Sequence, residues 1–147
     1  MDFGTGDFTI EWWEYCNSFS DQATRFDGRN AAASVGNIYA YKATTSSTSA
    51  LAFASLSFSG YTWTTGSWVH MAIVRASSNT SFYANGNRIG SAQADSTNYT
   101  TGGCTFGANT GGPNFGLVGY MDEMRVTKAA RYTGSTYTIP TAEFPNS

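Results

Sequence analysis

The residues with the widest chemical scope in this chain are Glu11, Glu14, His70, Asp122 and Glu123, each set among large apolar side chains. Two carboxyl groups that cleave a glycosidic bond with retention must flank it about 5–5.5 Å apart. On a strand that separation suits residues two or four apart, which share a face. Glu11 and Glu14 are three apart and point to opposite faces, and the adjacent Asp122 and Glu123 diverge as well. His70 is the only histidine; it lies between Val69 and Met71, and no Gly-x-Ser-x-Gly elbow accompanies it. It reads as a structural residue. Cys16 and Cys104 are the only cysteines, without the paired C-x-x-C spacing of a zinc site. Spacing alone does not bring them within disulfide distance, and two small buried thiols is the plainer reading. No catalytic residue is assigned, and the chain reads as non-catalytic.

The elements that must position these groups are strands. Alternation of side chains predicts them over Asp7–Tyr15, Ser34–Lys42, Ala50–Ser59, Ser67–Ala76, Thr80–Asn85, Arg88–Gln93, Cys104–Ala108 and Gly116–Thr127. Phe8, Ile10 and Trp12 share one face of the first, and Thr9, Glu11 and Trp13 the other. In the fourth, Val69, Met71 and Ile73 oppose Trp68, His70, Ala72 and Val74. Strands apolar on both faces are central and covered on each side. Asn85-Gly86 accepts the positive φ of a type I′ turn and predicts a hairpin between Thr80–Ala84 and Asn87–Ser91. Thr44–Ser49 is a polar hairpin loop, and Gly102-Gly103 and Gly111-Gly112-Pro113 break the chain around a short strand. The expected core is Phe8, Ile10, Trp12, Met71, Ile73, Phe82, Met124 and Val126. Asp122 falls in phase with Tyr120, Met124 and Val126, so a buried carboxylate needing partners is expected there.

Composition agrees with an all-β, antiparallel sandwich. A chain of 147 residues suits one domain, and no internal repeat or linker divides it. Charged residues are 12% of the chain, about half the usual ~25%, while aromatics reach 16%. Ser, Thr, Asn and Gly supply the polarity, and such side chains favour sheets and turns over helices. The net charge of −2, with basic residues scattered singly, lacks the clustered footprint of a nucleic-acid partner. No apolar run is long enough for membrane insertion, and Met1–Gly6 carries no signal-peptide pattern.

Four segments in order carry a resemblance: Gly6-Asp-Phe-Thr-Ile-Glu-Trp-Trp13, Trp68-Val-His-Met-Ala-Ile-Val-Arg75, Phe82-Tyr-Ala-Asn-Gly86 and Gly119-Tyr-Met-Asp-Glu-Met-Arg-Val126. Together they resemble the concanavalin A-like or laminin-G-like jelly roll, in the version common on bacteriophage tails and other virion surfaces. The match runs from about Asp2 to Phe144, and Ala130–Thr133 with Ile139–Phe144 resembles the family's C-terminal wrap. The resemblance implies one jelly-roll domain over 1–147. Family domains usually begin one strand earlier, beside the C-terminal strand, and only Met1–Thr5 precede Gly6 here. An open edge at Gly116–Thr127 is therefore expected to recruit another chain, by strand addition or as a homo-oligomer.

The resemblance also bears on function. Glucanases share this kind of jelly roll, but their Glu-x-Asp-x-Glu pattern is absent, which sets glycoside hydrolysis behind the other readings. The expected role is adhesive, a lectin-like module at a virion surface, outside the cell, binding cell-surface glycans. Sugar sites join aromatic platforms to Asn, Asp and Gly on loops of a rigid sandwich. Tyr61 and Trp63, with Asn109, Asn114 and Phe115, are the candidates. The alternative is a purely structural tail-fibre or capsid-decoration protein that binds other virion chains and no small ligand. No cofactor is required. Calcium is compatible with the resemblance: Asp21, Asp27 and Asn30 share a loop and have oxygen donors, although solvated turn residues read the same way and no Asp-x-Asp-x-Asp loop occurs.

Overall fold

The computed structural model describes residues 2–29, 38–100, 103–109 and 115–145. Among these residues, ten strands make up two antiparallel sheets: β1 (Phe8–Ser18), β2 (Thr24–Asp27), β3 (Tyr39–Lys42), β4 (Leu51–Phe53), β5 (Leu56–Phe58), β6 (Trp68–Ala76), β7 (Asn79–Ala84), β8 (Asn87–Ala94), β9 (Thr105–Phe106) and β10 (Val118–Thr127). The first sheet has the order β10-β1-β6-β7-β8 and the second β5-β4-β3-β2-β9. No α-helix occurs among the described residues.

The alternation along β1 and β6 decides what lies between the sheets. Phe8, Ile10, Trp12, Met71, Ile73 and Phe82 are buried there against Phe26, Ala40, Leu51, Phe53 and Phe58 of the second sheet. Trp12 is fully buried, and its indole N–H donates to Glu14 Oε2 at 3.0 Å. That carboxylate also accepts two hydrogen bonds from Arg25, each 3.1 Å, so an ion pair between β1 and β2 sits inside the sandwich. Such a pair is tolerable in an apolar interior because both ends are matched. Thr24-Arg-Phe-Asp27 gives no strand signal in the sequence; Arg25 finds its partner in β1, across the sandwich, while Asp27 pairs locally with Arg29.

The hairpin at Asn85-Gly86 forms in the expected place, with φ of 45° and 76° at the two residues and Ala84 opposite Asn87. A Cβ at Gly86 would also collide with the Tyr137 carbonyl oxygen, so glycine serves both turn and close approach. The predicted strand Ala50–Ser59 is instead two short strands, β4 and β5, turned at Ala54, whose φ is 50°. Of the predicted Ser34–Lys42, residues 34–37 lie outside the described residues, and Tyr39–Lys42 is β3. The Thr44–Ser49 loop closes over Lys42, whose ammonium donates to the carbonyls of Thr44 and Ser46.

After β10 the chain returns across the outer face of the first sheet. Thr9 Oγ1 donates to Ala129 O and accepts from the Arg131 amide, and Tyr83 donates to Gly134 O. The Tyr137 amide donates to Gly86 O at 2.8 Å. Tyr132 and Tyr137 stack at 3.6 Å between ring centroids and cover Ala72, Val74 and Tyr83. This C-terminal wrap is the second layer that the apolar outer faces of β1 and β6 anticipate.

Two expectations for β10 are corrected. Met124 is 49% exposed rather than core, and Asp122 is exposed rather than buried. The strand is the last in its sheet and carries an extra residue between Asp122 and Arg125, with Glu123 at a φ of 48°. A bulge at an edge re-aims side chains away from the phase that simple alternation assigns. Val126 resumes contact with the core.

Candidate functional site

The outer face of the first sheet divides into two regions. Strand pairing aligns Arg125, Glu11 and Ala72 in one row, Asp122, Trp13 and His70 in the next, and Tyr120, Tyr15 and Trp68 in the third. The wrap covers the first row. It leaves the third open.

Glu11 is the anchor of the covered region. Its carboxylate is fully buried and accepts hydrogen bonds from Arg125 Nε at 2.8 Å and Tyr132 OH at 2.6 Å. Arg131 Nε and His70 Nε2 each lie 3.4 Å away, within ion-pair reach. The His70 contact is off the line of a hydrogen bond, while His70 Nδ1 is bonded to Tyr137 OH at 2.7 Å. Burial alone would raise the Glu11 pKa. The contacts from His70, Arg125 and Tyr132 outweigh it and hold the carboxyl at about 2. Burial and the same hydrogen bond push the Tyr132 phenol up to about 12. Glu14 faces the opposite way, into the sandwich, bonded to Arg25 and Trp12. The two glutamates are therefore separated by the sheet itself.

The uncovered region is a groove of about 580 Å³ lined by Trp13, Trp68, Asp122, Glu123 and the segment Ile139–Glu143. Its floor is aromatic because the outward phase of β1 puts Trp13 and Tyr15 side by side with Trp68 of β6 and Tyr120 of β10. Tyr15 meets the Trp68 ring edge-on at 5.7 Å and the Tyr120 ring at 6.2 Å, and a smaller hollow between them continues to Asn17. Trp68 is 45% exposed and Tyr120 62%. Trp13 is half-buried, held edge-on against His70 at 5.3 Å. The far wall is fixed by Glu123 Oε2, which accepts the Phe144 amide at 2.7 Å, and by Phe144 lying under the Arg125 guanidinium at 3.6 Å. Asp122 and Glu143 are exposed at the rim.

The residues proposed from sequence are placed elsewhere. Trp63 is buried, 4% exposed, packed parallel to Phe82 and under Arg25, with its indole N–H on Ser49 O at 2.7 Å. It is a core residue, because the loop before β6 folds in over the core. Tyr61 is half-buried against it. Asn109 accepts from Arg29 and donates to Tyr39 OH, so its amide ties loop to strand. Phe115 is half-buried, and Asn114 lies outside the described residues. Trp63 therefore offers no platform for a sugar.

Of the proposed calcium ligands, Asp27 is already paired with a cation. Asp27 is buried, and both its oxygens accept from Arg29, at 2.9 and 2.8 Å, so a guanidinium already holds that carboxylate. Asp21 is exposed in the turn before β2, and Asn30 lies outside the described residues. Among the described residues no group of three His, Cys, Asp or Glu stands ready to hold a metal ion. Both cysteines are free; Cys16 is buried, and Cys104 is exposed, not buried as expected.

The site that sequence reasoning missed was signalled by Trp13, Tyr15 and Trp68, which share the outward phase of neighbouring strands. Alternation alone did not say that the wrap stops short of them.

Two antiparallel five-stranded sheets packed face to face, with a groove on one outer face, define a jelly-roll sandwich of the lectin-like class. Residues 1–133 match the family model described as the Concanavalin A-like lectin/glucanases superfamily, and the chain belongs to that family. Among solved structures it is similar to a candidate carbohydrate binding protein from Bacteroides ovatus ATCC 8483, with a TM-score of 0.69 and 19% identity over 88% of this chain and 39% of that one. It is also similar to domain 4 of AbnA, a GH43 extracellular arabinanase from Geobacillus stearothermophilus, in complex with arabinotriose. There the TM-score is 0.65 and identity 19%, over 88% of this chain and 65% of that one. Both chains are longer than this one, and at this identity the likeness is one of fold. No curated protein matches by sequence.

Proposed function

We propose that this domain is a non-catalytic carbohydrate-binding module that holds a glycan in the outer-face groove of the first sheet. The observation that carries the reading is the pairing of an aromatic floor, Trp13 and Trp68, with carboxylate oxygens of Asp122 and Glu143 along one open groove. A sugar ring is apolar on its faces and polar at its edge. An exposed indole takes the face, and the rim acceptors take the hydroxyls. The class of ligand is supported by the structural neighbours, one named as a candidate carbohydrate binding protein and the other a domain in complex with arabinotriose. The reading needs no cofactor.

The setting we propose is extracellular, on a virion surface, as the motif resemblance implies. An assembly role alongside glycan binding is favoured by one observation: β10 ends its sheet and exposes Val118, Tyr120 and Met124. A neighbouring chain pairing with that edge would cover them.

The test is a glycan array followed by calorimetry on the best binder, with Trp68→Ala beside the wild-type domain. Trp68 is exposed, so its loss should leave the melting temperature near wild type. Affinity should fall by at least about tenfold, roughly 1.4 kcal/mol. A variant that binds as wild type removes the groove from the reading, and a blank array removes the glycan.

A further inference from the structure

The groove is one-sided in charge. Its lining includes Asp122, Glu123 and Glu143, and no Lys, Arg or His. The nearby cations are committed elsewhere: Arg125 to Glu11 and to the face of Phe144, and Arg131 to Glu11. His70 is buried beneath Trp13 and bonded to Tyr137. Glu143 has no ion-pair partner among the described residues, and Asp122 uses one oxygen to accept the Glu123 amide at 2.8 Å. The floor adds to this asymmetry. Indole faces carry negative quadrupole charge and attract cations within about 6 Å of the ring centroid.

From this we infer that the groove selects a glycan bearing a protonated amine, an amino sugar with a free ammonium group, and rejects uronic and sulfated sugars. The inference rests on the carbohydrate-binding reading and deepens it. A neutral sugar would satisfy the aromatic floor and the hydroxyl acceptors, but it would leave the carboxylates without a counter-charge. An ammonium beside the ring engages both Asp122 and Glu143 by charge and the Trp68 face by cation–π attraction. A carboxylate or sulfate at the same place meets like charge on the wall and the repelling face of the ring.

Three tetrasaccharides that differ only at the C2 position isolate the effect: β1→4-linked glucosamine, N-acetylglucosamine and glucose. Each is titrated calorimetrically at mildly acidic pH, where the sugar amine is protonated, with the matching glucuronic acid oligomer as a fourth arm. An exposed ion pair and a cation–π contact together give an expected preference of about tenfold for the free amine over the N-acetylated and neutral forms. That preference should shrink as salt is raised, since exposed charges are screened. Asp122→Asn and Glu143→Gln should erase it, so that the amine and neutral forms bind alike. The carboxamide introduced by Asp122→Asn keeps an oxygen acceptor for the Glu123 amide, so the bulge survives the change. Equal binding of the amine and neutral forms, or tighter binding of the uronate, overturns this inference and leaves the carbohydrate reading standing. Binding of the free amine that both variants leave unchanged also overturns it, because the charge would then be acting from somewhere else. A domain that binds none of the four oligomers, and nothing on an array, overturns the carbohydrate reading itself.

Discussion

Replacing Glu11 by Gln removes one negative charge from beneath the C-terminal wrap and leaves the side chain's shape nearly unchanged. In the native protein that charge is fully buried and faces Arg125 at 2.8 Å, Tyr132 at 2.6 Å, and Arg131 and His70 at 3.4 Å. Its carboxyl is held at about 2 against an ordinary value of 4.5, which corresponds to about 3 kcal/mol of stability at neutral pH. Removing one partner of a buried charge pair costs about 3–5 kcal/mol, which agrees. The sign follows from the lowered pKa. The contribution is fully present above pH 4.5 and is lost as pH falls towards 2, where the native carboxylate must also take up its proton. Denaturant melts of wild type and Glu11→Gln across that range isolate this one group, because acid effects on other carboxylates cancel in the difference. The gap between the two proteins should be about 3 kcal/mol at pH 7 and narrow steadily from 4.5 to 2. Hydrogen exchange should localise the loss to the wrap, at the Arg131 amide that Thr9 accepts. A gap that stays constant down to about pH 2, or no gap at neutral pH, would refute the account of Glu11 as the clamp.

Two further outcomes are expected. Trp63→Ala should behave opposite to Trp68→Ala: as a core indole it should cost roughly 3–5 kcal/mol in a thermal or denaturant melt and leave glycan affinity unchanged in whatever fraction stays folded. Light scattering on the isolated 147-residue chain should report a mass above the monomer, with slow hydrogen exchange along Val118–Thr127 on assembly. A stable monomer with those amides already protected would show that the sheet needs no partner at its edge.

The sequence by itself determined the local geometry. Alternation put Phe8, Ile10 and Trp12 on one face of β1 and Glu11 and Trp13 on the other, because a strand's side chains have a period of two wherever the strand lies. Asn85-Gly86 set the β7–β8 hairpin, since the turn's positive φ is a property of those two residues. The four ordered motifs sufficed for the family. Tertiary structure alone decided which of these faces meets water. Trp13 and Trp63 are both tryptophans in aromatic-rich stretches, yet one lines an open groove and the other is sealed in the core. Nothing adjacent in sequence separates them: Trp13 is left uncovered by where the residues after β10 lie, and Trp63 is buried by how its loop folds back over Phe82. The same holds for charge. Arg25 makes β2 an improbable strand until Glu14 neutralises it, and Glu11 becomes a stronger acid only once the fold brings His70, Arg125 and Tyr132 to it. Burial and pairing are sums over neighbours distant in the chain, so they belong to the fold and not to any stretch of it.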